Sequence, residues 1–360
     1  MKLELDKQYL HTKPNILRCC TLAAGETHVE LPEGIISIEE NAFANCDALE
    51  SISIPCSVTS IKKNAFAGLK NLHTVSVSLD ACFSDEPFNR CTGLKTLIVK
   101  PVKRADLQVV DEQWTRNFGS ATKTIETLVI EDGIVKICKD AFKGFKALRS
   151  VTLPESLIEL AGLNDCSALE TVSLPKKLKK LGDKAFSGCA ALRDINLPDS
   201  VSTVGDYAFS RCTSLTEPIY TKKGKCLWFV PMNATEFIMP DTVEKIAPTL
   251  MYNHKMLKSV VLSTRLKKIS AGAFNDCAKL ENIVIPEGVQ EIERFAFNKC
   301  VSLTHVEIPA SLTTIRRQAF QECQSLSSFT WTGTGPTKVT DDIFFACPLH
   351  GKRIPGMPNL

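Results

Sequence analysis

The sequence lacks long hydrophobic runs, paired-cysteine motifs and glycine-rich phosphate loops. A membrane-spanning helix needs about 20 consecutive apolar residues, and no stretch approaches that length, so membrane insertion is not expected. Without C-x-x-C pairs a structural zinc site is not expected either. The six histidines are not spaced as in a metal site or a catalytic triad. We therefore expect no cofactor and no metal.

The chain also lacks an excess of charge of either sign. It carries 43 basic and 40 acidic residues, a net charge of +3, which argues against nucleic acid as a partner. The first residues lack the apolar core of a signal peptide. A cytoplasmic location is therefore expected if the sequence is the complete native chain. A cell-surface or secreted location is expected if a signal peptide has been removed.

What the sequence does contain is a 23-residue repeat. The copy from Ile283 to His305 reads IVIPEGVQEIERFAFNKCVSLTH, and the next begins at Val306 as VEIPASLTTIRRQAFQECQSLSS. Apolar residues two apart predict a short strand, and the proline after it cannot donate to a ladder. One unit cannot bury its own apolar side, whereas stacked copies can. The fixed period therefore predicts a solenoid.

The repeat divides the chain into three parts. Residues 1–28 do not match it and are predicted to form an N-terminal cap, since a solenoid needs its first apolar face covered. Residues 29–328 are predicted to form about 12–13 repeats of 23 residues. Residues 329–360 begin like a repeat and are predicted to be a half-repeat followed by a C-terminal cap.

Two parts of the predicted solenoid are irregular. Residues 97–127 fit the repeat poorly, and a short helix is predicted at about 104–117. Residues 218–236 hold two β-rich runs separated by Lys222, Lys223, Gly224 and Lys225. This pattern predicts a β-hairpin inserted into the stack.

The chain has 15 cysteines, and nine of them share one repeat position: Cys46, Cys91, Cys166, Cys189, Cys212, Cys277, Cys300, Cys323 and Cys347. Other copies place Leu69, Phe145 or His254 there. Exchange with leucine and phenylalanine indicates a buried apolar position. We predict a column of free thiols; a disulfide or metal framework is the alternative.

The segment L-x-x-I-x-I-P, as in Leu49 to Pro55 and Leu280 to Pro286, is followed by A-F-x-x-C-x-x-L. This combination resembles the BspA-like leucine-rich repeat family over roughly residues 29–347. The resemblance implies a leucine-rich repeat solenoid, mainly β with short turns and 3-10 segments. It also implies a curved right-handed superhelix with a parallel β-sheet on its concave face. Members are commonly surface or secreted proteins of bacteria and protozoa, some of them adhesins, and the repeat has no catalytic residues to carry over.

One exposed apolar stripe is predicted on that sheet. In L-x-x-I-x-I the residues between the two inward positions point outward, and most of them here are small and hydroxylated. Ile238, Val261 and Val284 are consecutive in one outward column, and strands lie about 4.8 Å apart. Contiguous exposed apolar surface often marks a partner site. The alternative is ordinary scatter of β-forming residues.

Four further residues are candidates for partner binding. His305 and Glu307 occupy the outward columns of the repeat that follows Val284. Trp114 and Trp228 lie in the two irregular segments, where large aromatic residues are favoured binding anchors. The alternative is that each tryptophan, including Trp331, packs its own segment onto the solenoid.

The function predicted from these observations is that of a non-enzymatic interaction scaffold. A protein is the expected partner, bound through the concave face and the irregular segments. An adhesin that binds a glycan or a host surface component is a second hypothesis. An enzyme with a site in residues 97–127 or 218–236 is a third.

Overall fold

The computed structural model describes residues 1–6, 15–102, 109–116, 118–221, 223–333, 335–340 and 342–352. The chain divides into two compact units, Met1–Thr203 and Val204–Leu360. Strands of two to seven residues make up almost all the regular structure of the described residues. None of the helices found there is long and apolar enough to cross a membrane.

In the first unit, a short α-helix, α1 (Glu112–Arg116), and a 3-10 helix (Gly119–Lys123) interrupt the strands. The strands are β1 (Lys2–Asp6), β2 (Asn15–Thr21), β3 (His28–Glu30), β4 (Ile35–Ile38), β5 (Ser51–Ser53), β6 (Ser60–Ile61), β7 (Thr74–Ser78), β8 (Cys82–Phe83), β9 (Thr96–Lys100), β10 (Val109–Val110), β11 (Thr127–Ile130), β12 (Lys136–Ile137), β13 (Ser150–Thr152), β14 (Glu159–Leu160) and β15 (Lys180–Leu181). Strand β16 (Thr203–Val204) lies where the two units meet in sequence.

The regular structure of the second unit also consists of short strands. They are β17 (Ile219–Thr221), β18 (Cys226–Phe229), β19 (Glu236–Ile238), β20 (Lys245–Ile246), β21 (Ser259–Val261), β22 (Lys268–Ile269), β23 (Asn282–Val284), β24 (Glu291–Ile292), β25 (His305–Ile308), β26 (Thr314–Ile315), β27 (Ser328–Trp331) and β28 (Lys338–Val339).

Most regular repeats contribute their first strand to a parallel ladder, as the sequence predicts, whereas those that begin at Val172 and Ile195 show only a bridge between Thr171 and Asp194. In the first unit this ladder runs in the order β13, β11, β9, β7, β5, β3. In the second unit β23 pairs with β25 in a register of one repeat, so that Ile283 lies opposite Val306 and Val284 opposite Glu307. The inward residues are buried and their neighbours face outward, which is the alternation expected of a sheet with one buried face. Each unit is thus a parallel-sheet solenoid built from leucine-rich repeats.

A second parallel ladder, which the sequence pattern does not indicate, is formed by the other strands of the repeats. In the second unit it runs β22, β24, β26, β28, and Ile292 lies opposite Ile315. Each of these strands is only two residues long. A period of two cannot be recognised over two residues, so only the single apolar residue of each strand left a signal, a buried isoleucine in β22, β24 and β26 and the half-buried Val339 in β28.

The Ala-Phe half of the repeat is a turn rather than a helix. The residue before the alanine has a left-handed backbone, with φ of 57° at Asn41, 56° at Asn64 and 62° at Asp140. Asparagine and aspartate tolerate this conformation better than most residues. The phenylalanine rings of successive turns stack, for example Phe297 on Phe274 with centroids 5.2 Å apart and planes at 3°. All nine cysteines of the predicted column are buried and are free thiols, as predicted.

The hairpin predicted within residues 218–236 is present. Ile219–Thr221 and Cys226–Phe229 pair in antiparallel fashion, and the second of these strands also pairs in parallel with Lys245–Ile246. The hairpin and the second strand of the following repeat therefore form a three-stranded sheet of their own, in the order β17, β18, β20. Lys222 lies outside the described residues.

The predicted helix at about 104–117 is too long. The helix of this segment is Glu112–Arg116, whereas Val109–Val110 is a strand that pairs with Lys136–Ile137. Two consecutive valines, such as Val109 and Val110, favour a strand over the first turn of a helix, because their branched side chains restrict rotation in a helix. Residues 104–108 and 117 lie outside the described residues.

At the N-terminus, Lys2–Asp6 pairs in antiparallel fashion with Asn15–Thr21, which in turn pairs in parallel with Ile35–Ile38. The capping roles of residues 1–28 and 329–360 stay predictions. Residues 7–14 and 353–360 of those segments lie outside the described part of the chain.

Candidate functional site

The predicted apolar stripe of Ile238, Val261 and Val284 is exposed. The exposed fractions of these residues are 72% for Ile238, 56% for Val261 and 63% for Val284. Their strand neighbours Val260 and Ile283 are buried, at 7% and 2%. Successive side chains of a strand point to opposite faces of the sheet. Val260 and Ile283 therefore point into the core, while Val261 and Val284 point into solvent.

The three residues of the apolar stripe lie on neighbouring strands. Ile238 lies opposite Val261 in the pairing of β19 with β21. Strand β23 follows alongside, because the backbone nitrogen of Glu281 donates to the carbonyl oxygen of Lys258 across 3.2 Å. With about 4.8 Å between strands, the stripe runs about 10 Å across the sheet. It is contiguous rather than scattered.

His305 and Glu307 extend the same face on β25. Glu307 lies opposite Val284, and His305 lies opposite Asn282. Both residues are half-buried. The Nδ1 atom of His305 and the Oγ atom of Ser328 form a hydrogen bond of 2.9 Å. The structure thus places both residues next to the apolar stripe. Glu307 follows Ile238, Val261 and Val284 at the same repeat position, so a carboxylate lies at the end of the stripe.

Carboxylates surround the apolar stripe, and we call five of them the acidic rim: Glu236, Asp241, Glu281, Glu287 and Glu307. Glu236 and Glu281 lie before the stripe along the strands, and Asp241 and Glu287 lie in the turns just after them. Two basic residues lie among them, Lys258 just before β21 and Arg265 in the turn just after it. The sequence pattern did not reveal the rim, because its members belong to four different repeat positions.

The acidic rim differs from the other carboxylates of the second unit in its pairing. Five carboxylates elsewhere in that unit form salt bridges with lysine or arginine: Glu244, Asp276, Glu291, Glu293 and Glu322. Within the described residues, no carboxylate of the acidic rim forms one. Asp241 accepts hydrogen bonds from Thr264, and Glu287 accepts them from Ala310 and Thr332. Those donors are neutral, whereas the Nζ atom of Lys267 lies beside Gly288, the neighbour of Glu287, without forming a salt bridge in the described part of the chain.

Trp228 is not available as a surface anchor, which corrects the prediction. Only 4% of the residue is exposed, and its Nε1 atom donates to Oγ1 of Thr221 across 2.7 Å. The Nζ atom of Lys245 lies 5.3 Å from the ring centroid. All four residues of its strand, Cys226–Phe229, are buried, so the ring fills the core beneath the hairpin. Trp228 thus packs its own segment onto the solenoid.

Trp114 and Trp331 are half-buried and also pack locally. The ring of Trp114 contacts Phe83 and Phe118, each with centroids 5.5 Å away. The ring of Trp331 lies 6.1 Å from that of Phe329. These contacts favour a packing role, and a binding role for Trp114 stays a prediction.

A groove of about 530 Å³ lies beside the irregular segment of the first unit. In it Glu159 bridges Lys136 and Lys180, with O–N distances of 3.1 and 2.9 Å. The hydrogen bond and charge of Glu159 raise the pKa of Lys180, so this lysine stays protonated near neutral pH. Four carboxylates and three lysines line the groove, so its charges nearly balance. Within the described ranges, no group of three or more histidine, cysteine or acidic residues is placed to hold a metal ion.

Comparison with solved structures finds leucine-rich repeat proteins. A leucine-rich repeat protein from Bacteroides ovatus is 20% identical over 97% of this chain and 91% of its own, with a TM-score of 0.55. A leucine-rich cell surface protein from Faecalibacterium prausnitzii is 22% identical over 92% of this chain and 95% of its own, with a TM-score of 0.47. The pneumococcal vaccine antigen PcpA is 18% identical over 96% and 85%, with a TM-score of 0.46. The Bacteroides ovatus structure shows the same fold.

None of the curated proteins matches the chain. The family model described as the BspA type leucine-rich repeat region matches in 6 copies, over residues 20–106, 116–228 and 225–350. These matches span nearly the whole solenoid, and they agree with the A-F-x-x-C-x-x-L half-repeat whose turns and buried thiols the structure shows. The chain belongs to the BspA-type leucine-rich repeat family.

Proposed function

We propose that this protein is a non-enzymatic scaffold that binds a partner protein through the apolar stripe of its second unit. Proteins of this repeat type are binding scaffolds in general, because stacked repeats present wide, regular surfaces. The observation that carries the proposal is the exposure of Ile238, Val261 and Val284 side by side on three strands. Three large apolar side chains more than half exposed are costly in water and become favourable when a partner covers them.

The composition of the surface around the stripe also fits a protein interface. Such interfaces combine an apolar centre with a polar rim that is solvent-accessible. Here the centre is the apolar stripe and the rim is acidic, with His305 and Glu307 at one end. Charges at a rim mainly set the rate of association and the choice of partner.

The test is capture of a native partner by immobilised full-length protein, with bound proteins identified by mass spectrometry. Val261→Asp should abolish capture, because the added carboxylate would be buried without a partner in the complex, at a cost of several kcal/mol. The free protein should keep its melting temperature, since Val261 is 56% exposed. Thr152→Asp is the matched control, an equally outward position on β13 of the first unit, and should capture normally. Normal capture by Val261→Asp would refute the proposed face.

A second candidate function, glycan binding, is favoured by one observation in the first unit. Where the first ladder narrows to a single bridge between Thr171 and Asp194, a groove of about 410 Å³ opens on the sheet. Ser173 and Asn196 also line it. Hydroxyl, carboxylate and amide groups on one groove are suited to sugar hydroxyls. Binding of a glycan on an array that Asn196→Ala abolishes would support this function.

A further inference from the structure

The spacing of the apolar stripe indicates which secondary structure fits on it. Its residues are separated by the distance between strands, about 4.8 Å. On an α-helix, residues at i, i+3 or i+4 and i+7 lie about 5–6 Å apart on one face and span about 10.5 Å. On an extended strand, residues on one face are about 6.8 Å apart. A helix laid across the three strands therefore matches the stripe better than an added strand.

The charge around the stripe indicates the chemistry of that helix. The five carboxylates of the acidic rim lie on both sides of the stripe, and no lysine or arginine pairs with them within the described residues. The chain as a whole is basic, at +3, so this face has a sign opposite to that of the molecule. A field of this kind attracts cationic partners and repels anionic ones.

We infer that the stripe binds a basic amphipathic helix of a partner protein, with its apolar residues on Ile238, Val261 and Val284 and its lysines or arginines over the acidic rim. This rests on the proposed function and gives the chemistry of the partner. A second copy of this chain does not offer such a segment within the described residues, where the one α-helix, Glu112–Arg116, has five residues. Helix-in-groove recognition uses the same i, i+3, i+4 and i+7 anchors.

Lys258 provides an internal comparison. It comes just before β21, and its carbonyl oxygen accepts from the backbone nitrogen of Glu281; within the described residues its side chain forms no salt bridge. A basic helix should be repelled by Lys258 and attracted by the rim. Lys258→Glu should therefore tighten binding, whereas Glu281→Lys should weaken it. Both side chains are exposed, so neither change should alter the fold.

The experiment uses a fluorescein-labelled synthetic helix of about 18 residues, or five turns. It carries leucines at i, i+3, i+4 and i+7 and lysines on the flanks. Full-length protein is titrated into it and fluorescence anisotropy is followed. Two further peptides serve as comparisons, one with the same composition and scrambled leucines, and one with glutamate in place of lysine. The helix should bind about tenfold more tightly than either, a difference of about 1.4 kcal/mol, and less tightly as salt is raised.

Protein variants separate apolar contact from simple charge attraction. The double variant Val261→Thr and Val284→Thr keeps side-chain shape and charge but adds hydroxyls, and it should lose about tenfold in affinity. Unchanged binding by this variant, or equal binding of the scrambled peptide, would show charge attraction alone and would overturn the inference. Equal binding of the glutamate peptide would overturn it as well.

Two outcomes distinguish this inference from the proposed function. If Val261→Asp abolishes capture of the native partner while the lysine–leucine helix does not bind, the proposed binding face is supported and the inference of a basic helical partner is wrong. If Val261→Asp captures normally, both fail. Analytical ultracentrifugation tests whether a second copy of this chain binds the stripe instead. Self-association that Val261→Asp abolishes would assign the stripe to a second copy and overturn the inference of a helical partner.

Discussion

The Sγ atom of Cys300 donates a hydrogen bond to the carbonyl oxygen of Phe274 in the preceding repeat, across 3.2 Å. Other thiols of the column make the same contact one repeat back, with acceptors and distances as follows: Cys91 to Phe66, 2.9 Å; Cys166 to Phe142, 3.3 Å; Cys277 to Met251, 3.1 Å; Cys323 to Phe297, 3.0 Å; Cys347 to Phe320, 2.7 Å. A buried carbonyl without a donor is costly. The cysteine therefore holds successive turns together as well as filling space.

These contacts predict that the column thiols do not react in the folded protein. Burial raises the pKa of Cys300 well above its ordinary value and that of Cys277 to about 12, and the thiolate is the nucleophile. Iodoacetamide at about pH 8 should modify the exposed Cys82 first, whereas Cys300 and Cys277 should react only after unfolding. Peptide mass spectrometry against time measures both rates. Alkylation of Cys300 at the rate of Cys82, or a Cys300–Cys323 disulfide, would contradict this prediction.

The burial of this column could be predicted from the sequence, but its hydrogen bonds could not. Exchange of cysteine with Leu69 and Phe145 indicates an apolar site, and both residues are buried. The signal for a donor was present at His254, since a histidine in an apolar column needs a polar partner. Its carbonyl acceptor belongs to another repeat, and a pattern within one repeat cannot show it.

A second prediction concerns the stacked phenylalanines. Phe297 is fully buried between Phe274 and Phe320, with ring centroids 5.2 and 5.1 Å away. Phe297→Ala should lower the free energy of unfolding by about 3–5 kcal/mol through lost burial and an unfilled cavity. Since repeats contact mainly their neighbours, hydrogen exchange should increase first at the adjoining turns. Urea unfolding gives the magnitude and hydrogen–deuterium exchange gives the location.

Phe345→Ala is the matched control, because Phe345 lies in the same unit and is 48% exposed. A surface substitution of this kind should change stability by about 0.5 kcal/mol or less. Uniform loosening of every repeat in Phe297→Ala would mean that the solenoid unfolds as one block, which is not the behaviour expected of nearest-neighbour stacking.

The candidate site could be predicted only in part, for a related reason. The exposure of Val261 and Val284 follows from strand alternation, which is local. The burial of Trp228 depends on the pairing of its hairpin with Lys245–Ile246, a contact between separate segments of the chain. The acidic rim depends on how turns of different repeats approach the sheet. Alternation within a strand therefore predicts which face a residue occupies, while packing between repeats decides what surrounds it.

The last prediction concerns pH, and it uses His254, which takes the place of cysteine in one repeat. The residue is fully buried. Its Nε2 atom lies 2.7 Å from the carbonyl oxygen of Pro231, and its Nδ1 atom accepts from the backbone nitrogen of Leu257 across 3.2 Å. A carbonyl only accepts, so Nε2 carries the proton and the ring is neutral. Protonation of Nδ1 would place its proton against the backbone N–H proton of Leu257 and break that hydrogen bond.

Burial accordingly lowers the pKa of His254 in the folded protein. The unfolded state has the ordinary value of about 6.5 and binds the proton more readily. The stabilising contribution is therefore fully present above about pH 6.5 and is lost as the pH falls toward the lower folded value. Urea midpoints measured at pH 7.5, 6.5 and 5.5 should decrease over this range. In His254→Cys a thiol can donate to Pro231 as it does elsewhere in the column, and it does not titrate in this range, so the decrease should be smaller. The other histidines are common to both proteins, and the difference between the two profiles therefore isolates His254. Identical profiles would mean that the pKa of His254 is the same in the folded and unfolded states, and they would contradict this prediction.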